Sequence, residues 1–484
     1  MHKRFVAHMI ARIVLFCSLV MAVPLAWAIK DDYHHPEVVA FVVTILFGSA
    51  LSGLFLWRYP VEKEDYRRVT AKDGLAIVGL AWVILSALGA LPFYLSGAVS
   101  HYTDGFFEVV SGFTTTGATI FADIEALPRG LLFWRSLTHW LGGMGIIVLY
   151  IALLPALGTH ASQLYKAEAP GLTVERVEPR IKETAKNLWS VYFLLSFLEV
   201  LALMACQMPL FEALCHTFGT MATGGFSTRN ASIGAFGPAV QWVIFIFMVL
   251  AGMNFIVHYQ VLKGRWQKAF RNEELWVYLA LVIGLTGVFA LVLSVSSSLA
   301  GPLRHAAFQV ASILTTTGYS TTDFETWPAA LTCWLVLLMF IGGCGGSTGG
   351  GMKVVRFLLA IKIAWRAVVQ AVFPNAVLPV QLNGKAMEDK LILSVLTYFL
   401  IFMLLFLIGT LMLSIIEGCD LVTALTASIS ALSNIGPGLG RVGPTDNFAW
   451  FSLPGKWVLI FLMLAGRLEL YSILVLFIPE TWKK

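Results

Sequence analysis

Thr114-Thr115-Thr116-Gly117-Ala118-Thr119, Ala222-Thr223-Gly224-Gly225-Phe226-Ser227-Thr228, Thr315-Thr316-Thr317-Gly318-Tyr319-Ser320-Thr321 and Ser433-Asn434-Ile435-Gly436-Pro437-Gly438 are variants of one short theme. Their aligned glycines, Gly117, Gly225, Gly318 and Gly436, are separated by 108, 93 and 118 residues. Twelve residues before each glycine stands a small residue (Gly105, Ala213, Ala306, Ala424), and six before stands Ser111, Gly219, Ser312 or Ser430. Small residues at that interval let a short helix pack closely on its neighbours. A further small site, Gly143, Gly252, Gly343 and Gly466, follows each aligned glycine by 25 to 30 positions. Self-similarity of this kind marks a repeat architecture. Each copy reads as a spanning helix, a half-length helix, a glycine-bearing extended segment and a second spanning helix.

The surroundings say where such a repeat sits. Of 484 residues, 58% are apolar and only 13% carry charge, about half the ~25% charge of an average soluble domain. A soluble, disordered or fibrous protein is excluded. Ten apolar stretches are long enough to cross a hydrocarbon core of about 30 Å as helices: 9–29, 37–57, 74–96, 131–154, 187–206, 237–261, 275–297, 329–365, 391–416 and 455–478. The expected fold is an all-α polytopic membrane protein. Its units are two N-terminal transmembrane helices (1–70) and four repeats, 71–165, 166–270, 271–385 and 386–484.

Basic residues gather in alternate loops: Lys3 and Arg4; Arg58, Lys63, Arg67, Arg68 and Lys72; Lys166, Arg176, Arg180, Lys182 and Lys186; Lys263, Arg265, Lys268 and Arg271; Lys385 and Lys390; Lys483 and Lys484. The positive-inside rule puts all of them, and both termini, in the cytoplasm. The net charge of +5 reads as this orientation signal, not as a nucleic-acid surface. Ala26-Trp27-Ala28 imitates a signal-peptide cleavage site, but the apolar stretch before it exceeds a signal h-region, so a retained first helix is expected. The six cysteines (Cys17, Cys206, Cys215, Cys333, Cys344, Cys419) show no metal or disulfide spacing and read as packing residues.

Non-helical backbone at membrane depth is tolerated only inside protein or beside a wet cavity. Four such segments in the same orientation can surround one axis and turn their carbonyls inward, replacing the hydration shell of a monovalent cation. Glycine permits the backbone angles required. Threonine or serine hydroxyls can add oxygen ligands or tie the strand down. Half-helices ending there would aim their negative dipole ends at the ion. The expected filter residues are Thr115, Thr116 and Gly117; Thr223, Gly224 and Gly225; Thr316, Thr317 and Gly318; and Asn434, Ile435 and Gly436. Acids in the following loops (Asp123, Glu125, Asp323, Glu325, Asp446) would either focus cations or serve as ordinary loop acids beside Arg129 and Arg441.

Seven glycines in Gly342–Gly351 interrupt the eighth stretch. At about 1 kcal/mol each relative to alanine, they cannot hold a helix. Gly343, Cys344, Gly345, Gly346, Ser347, Thr348, Gly349, Gly350 and Gly351 are therefore expected to form a movable loop under the filter, a gate, with a fixed packing kink as the alternative. Arg467, at the centre of the last stretch, costs at least ~2.5 kcal/mol in a bilayer. It should face the pore as an electrostatic barrier or pair with carbonyl ends. Glu469 points to another face, and Lys353 either joins the gate or snorkels to the inner surface. His139, His216, His258 and His305 lack ligand spacing and read as hydrogen-bonded structural residues.

With its four glycine filters, the segment His139-Trp140-Leu141-Gly142-Gly143-Met144-Gly145 and the glycine tract, the chain resembles the Trk/Ktr/HKT superfamily of cation transporters over essentially its whole length. The resemblance implies M1–P-loop–M2 repeats around a pseudo-fourfold pore and an intramembrane loop at the glycine tract. It implies uptake of K+ over Na+ when all four filter glycines are present, with K+ as cargo and as the ion bound at the filter residues, and Rb+ as a substitute. It also implies a homodimer in the bacterial inner membrane and a cytosolic NAD- or ATP-binding regulatory ring, TrkA. No other cofactor and no nucleic acid is expected. The fourth copy departs from the pattern by lacking threonine, so an asymmetric filter is expected. An alternating-access symporter is the alternative; its folds usually carry an inverted two-part repeat. An intramembrane enzyme would need a catalytic dyad or metal spacing, and neither is found.

Overall fold

The computed structural model describes residues 2–62, 65, 70–145, 181–296 and 299–482. The second half of the expected fourth span (146–154) and the basic residues Lys63, Arg67, Arg68, Lys166, Arg176, Arg180, Lys483 and Lys484 lie outside them. The regular secondary structure of the described residues is helical apart from one short hairpin pairing Gln381–Leu382 with Lys385–Ala386. Among the described residues six helices are long and apolar enough to cross a membrane: Lys3–Asp31, Pro36–Arg58, Lys72–Leu95, Ala185–Ala205, Glu273–Ser296 and Asp389–Glu417. Their outward faces are apolar rather than charged; Ile283, Leu291 and Val295 on one helix are 69, 67 and 82% exposed. A surface that shows aliphatic side chains along its whole length suits lipid, not water.

The first helix is an integral part of the fold. Phe5, Met9, Ile13 and Cys17 are at most 2% exposed in the main apolar core. Cys215 and Cys344 are buried as well, and all six cysteines are free.

Four short helices occupy the centre: Tyr102–Phe113, Leu210–Met221, Pro302–Leu314 and Leu421–Ser433, of 12, 12, 13 and 13 residues. At 1.5 Å per residue they reach about 20 Å, too short to span. Each ends the same way. Thr115, Thr223, Thr316 and Asn434 adopt left-handed φ of 53, 54, 60 and 57°. The following N–H then reaches five residues back: Thr116 to Ser111 (2.9 Å), Gly224 to Gly219 (2.7 Å), Thr317 to Ser312 (2.8 Å) and Ile435 to Ser430 (2.9 Å). This is a Schellman closure, usually built on glycine. A β-branched threonine in that conformation costs about 1–2 kcal/mol, and three threonines bear it in the same slot.

Two expected spans are not straight crossings. Pro238–Gly252 and Phe255–Leu262 meet at 99°, and Leu453–Arg467 meets Tyr471–Phe477 at 120°. At the first bend Asn254 breaks the ladder and its side chain caps the next helix at the Ile256 N–H (2.8 Å). At the second, Glu469 and Leu470 take φ of 50 and 64°. The eighth stretch is broken as its glycines demand, into Ala329–Ile341 and Val354–Val372.

Candidate functional site

The four glycine segments close into a ring. Gly117, Gly225, Gly318 and Gly436 all have left-handed φ, of 81, 80, 79 and 102°. A β-carbon on Gly117 would strike the Gly224 carbonyl oxygen, one on Gly225 the Thr317 oxygen, and one on Gly318 the Ile435 oxygen. One on Gly436 would lie 2.7 Å from the Thr116 oxygen. The contacts run from repeat one to two, two to three, three to four and four back to one. Each glycine is thus excluded from having a side chain twice, by its φ and by its neighbour's carbonyl. Gly117, Gly225 and Gly318 are partly exposed although the residues just before them are buried.

The outer loops repeat this circuit. Asn230 ties repeat two to Asp123 (2.8 Å) and to the Ile124 N–H (2.7 Å). The Ile233 and Gly234 N–H groups donate to the Ser320 carbonyl (3.0 and 3.1 Å), and the Phe448 N–H to the Thr119 carbonyl (2.7 Å). The Gly440 N–H donates to Glu325. Several of the expected mouth acids therefore staple neighbouring repeats. The Asn230 amide holds the Asp123 carboxyl below its ordinary range. Burial moves Glu325 the other way, against the pull of Gly440 and with the charges of Asp323 and Asp446.

Behind the ring the copies diverge. The Thr116 hydroxyl pairs with Thr114 (2.8 Å) and that of Thr317 with Thr315 (2.7 Å), so these hydroxyls tie the strand. The second and fourth copies have no such pair, which lowers the fourfold pattern to a twofold one. In the fourth copy the Asn434 amide donates to the Thr116 hydroxyl of the adjacent first copy (3.0 Å) and to the Met463 carbonyl of its own repeat (2.9 Å).

Glu108 and Arg135 are supporting residues not singled out from the sequence, and others named there turn out to do more. The serines six before the glycine do more than pack: Ser312 donates to the Tyr319 carbonyl (2.6 Å) and Ser430 to the Gly436 carbonyl (2.7 Å). Nine before the glycine stand Glu108, His216, Gln309 and Ala427, all buried. Glu108 accepts from Thr119 Oγ1 (3.0 Å), from the Ile120 N–H (2.9 Å) and from Arg135 Nε (2.6 Å). Arg135 also donates to the Ser227 carbonyl (3.1 Å) and lies 3.8 Å from the Phe226 ring centroid. One ion pair thus clamps the first two segments. His216 bonds Ser227 (3.0 Å), His305 bonds Thr321 (2.9 Å) and His258 bonds the Leu250 carbonyl (2.9 Å), structural roles as expected. His139 departs from the hydrogen-bonded role expected of it: among the described residues neither ring nitrogen has such a partner.

The glycine tract is held directly against the ring. The Gly350 N–H donates to Thr316 Oγ1 (2.6 Å), and a β-carbon on Gly350 would strike the Ser433 carbonyl. Gly349 faces the Thr315 carbonyl, 2.9 Å from where its β-carbon would sit. Glu274 fastens both ends, accepting from the Gly345 N–H (2.6 Å) and the Val355 N–H (3.1 Å). The Cys344 N–H donates to the Gly252 carbonyl (2.8 Å), and the Phe255 N–H to the Gly346 carbonyl (3.1 Å). Thr348 Oγ1 donates to the Ala251 carbonyl (3.3 Å). Gly343, Cys344, Gly345, Thr348, Gly349, Gly350 and Gly351 are buried, Ser347 is partly so and Gly346 is exposed.

Arg467 bridges this loop to the first repeat. It donates to the Thr348 carbonyl (2.7 Å) and to the carbonyls of Gly142 (2.6 Å) and Gly143 (2.7 Å) at a helix end. Glu469 pairs instead with Arg356. Lys353 does not snorkel: it is 8% exposed and donates to the Gly349 carbonyl.

Known proteins resemble this chain over its whole length. Residues 38–484 match the family described as TrkH, cation transport protein. The Trk system potassium uptake protein TrkH of Salmonella typhimurium is 40% identical over the whole of both chains. The Trk system potassium uptake protein TrkG of Escherichia coli is 33% identical, over 100% of this chain and 99% of its own. The crystal structure of the potassium transporter TrkH from Vibrio parahaemolyticus superposes with a TM-score of 0.89 at 34% identity, covering both chains completely.

Proposed function

Because this chain belongs to the TrkH family of cation transport proteins, we propose that it takes up potassium through a pore whose selectivity filter is the ring of four glycine segments. The observation that carries this reading is the cyclic contact of each filter glycine with the next segment's carbonyl oxygen. A dehydrated K+ on the axis finds there the oxygens of Thr116, Gly224, Thr317 and Ile435 in place of water. Four helix C-termini, each equivalent to about half a negative charge, converge on the same point.

The loop from Gly343 to Gly351 is the gate, latched shut against Thr316 by Arg467, Lys353 and Glu274. Opening requires the loop to leave the ring and Arg467 to release its carbonyls. The positive charge of Arg467 disfavours a cation beneath the filter while the latch is closed. The protein works as a homodimer in the bacterial inner membrane, termini in the cytoplasm, under a TrkA-type nucleotide-binding ring. The repeats at 71–165, 166–270, 271–385 and 386–484 are its functional quarters, and the helices of 1–70 flank them.

Tracer flux into proteoliposomes of the purified chain tests this. Rubidium entry well above sodium entry is expected, and replacing Gly318 with serine should lower that ratio. Equal entry of the two ions, or an unchanged ratio in the Gly318→Ser protein, contradicts the assignment.

A further inference from the structure

The second filter segment is the barest of the four. One residue before the glycine the other copies carry Thr116, Thr317 and Ile435, whereas this one has Gly224. Six before, the others carry Ser111, Ser312 and Ser430, whereas this one has Gly219. Neither glycine has a left-handed φ, so backbone conformation does not call for glycine at either place.

Both vacant volumes are filled from neighbouring repeats. A β-carbon on Gly224 would fall inside the imidazole of His139, which belongs to the first repeat. That ring is fully buried and stands edge-on to Phe226, with centroids 4.1 Å apart. A β-carbon on Gly219 would strike the hydroxyl of Tyr319 from the third repeat. That hydroxyl lies 3.2 Å from the Phe226 carbonyl oxygen. In the third copy Ser312 donates to the equivalent carbonyl, that of Tyr319. Four residues before the shared helix glycine, where the first repeat has His139, the others have Met248, Met339 and Leu462.

We propose that the second filter segment is supported in trans, with His139 and Tyr319 replacing the side chains that Gly224 and Gly219 lack, and that His139 is a positioning residue for selectivity. The His139 ring acts by its bulk: it holds the Gly224 peptide at the spacing at which its carbonyl meets Gly117. A side chain returned to position 224 can do the same work only when the ring is gone. This rests on the filter reading above.

The test compares wild type, His139→Ala, Gly224→Val, the double variant and His139→Leu in proteoliposomes, by rubidium flux, rubidium-to-sodium ratio and thermal midpoint. Each of the first two substitutions alone should lower the ratio about fivefold or more, the effect of a filter displaced by a modest free energy. The double variant should recover to within about twofold of wild type. His139→Leu, which keeps bulk without an imidazole, should keep the ratio and decides the matter if the double variant fails to fold. A double variant that folds yet is no better than the worse single one, a His139→Ala protein with wild-type selectivity, or a folded His139→Leu protein that has lost it overturns the inference alone. A wild type without preference for rubidium overturns the filter reading and this inference with it.

Discussion

The Gly350 N–H donates to the side-chain oxygen of Thr316 at 2.6 Å, so the loop proposed as gate and the ring proposed as filter share a hydrogen bond. Both groups are buried. The residue that accepts the bond also holds the strained left-handed position at the end of the third pore helix. Movement of the loop would therefore change the surroundings of the ring itself.

Thr316→Val keeps the shape of the side chain and removes the acceptor. A buried N–H without a partner costs about 1–3 kcal/mol, and that cost falls on the seated loop. Basal rubidium leak through the purified protein should rise several-fold, while Thr316→Ser should behave as wild type. A valine variant with unchanged leak would separate loop from filter.

Arg467 spans a loop carbonyl and two helix-end carbonyls. Hydrogen bonds to a charged group are worth about 1.5–3 kcal/mol each. If half of one such bond is lost only from the closed state, the open-to-closed ratio rises, by about tenfold per ~1.4 kcal/mol. Arg467→Ala should raise partner-free flux by that order. Arg467→Lys should be intermediate, because an ammonium lacks the planar fork that reaches both sides. Flux at or below wild type in the alanine protein would remove the latch.

The Arg135–Glu108 pair is buried at both ends, 2 and 0% exposed. Arg135→Met leaves Glu108 buried without its cation, a loss of about 3–5 kcal/mol. Adding Glu108→Gln removes the stranded charge. Thermal unfolding in detergent should show the double variant more stable than Arg135→Met alone. The reverse order would mean that the Glu108 carboxylate matters more through its bonds from Thr119 and Ile120 than as the partner of Arg135.

Glu325, in the outer loop, has its carboxyl pushed up by burial and by the charges of Asp323 and Asp446. A group whose folded pKa exceeds its unfolded one stabilises most below the unfolded value and loses that contribution as pH rises through the folded value. Glu325→Gln keeps an oxygen for the Gly440 N–H but carries no charge. Its melting midpoint should match or exceed wild type near pH ~8, and the difference should fade toward pH ~4, where the wild-type carboxyl is neutral. A variant that is less stable at the higher pH would assign the staple to the charge itself.

Much of this was legible in the linear chain because the decisive constraints are local. A half-helix, a Schellman closure and a glycine in left-handed conformation leave a recurring signature at fixed spacing, and the glycine tract can only be a break. What the chain did not disclose depends on contacts between distant segments. Glu108, His216, Gln309 and Ala427 occupy equivalent places with different chemistry; Glu108 answers to Arg135 and His216 to Ser227. The trans placement of His139 and Tyr319 is invisible until the ring is closed. The bends after Gly252 and Arg467 follow from one asparagine cap and two left-handed residues, signals too slight to override continuous hydrophobicity. Lys353, beside the inner surface in sequence, is drawn inward by a single carbonyl.

The most direct measurement is the anomalous scattering of rubidium in crystals of the protein grown with rubidium in place of potassium. A peak on the axis, within coordination distance of the Thr116, Gly224, Thr317 and Ile435 carbonyl oxygens and absent from sodium-grown crystals, is the predicted result. Rubidium found only elsewhere, with the ring unoccupied, would contradict the account.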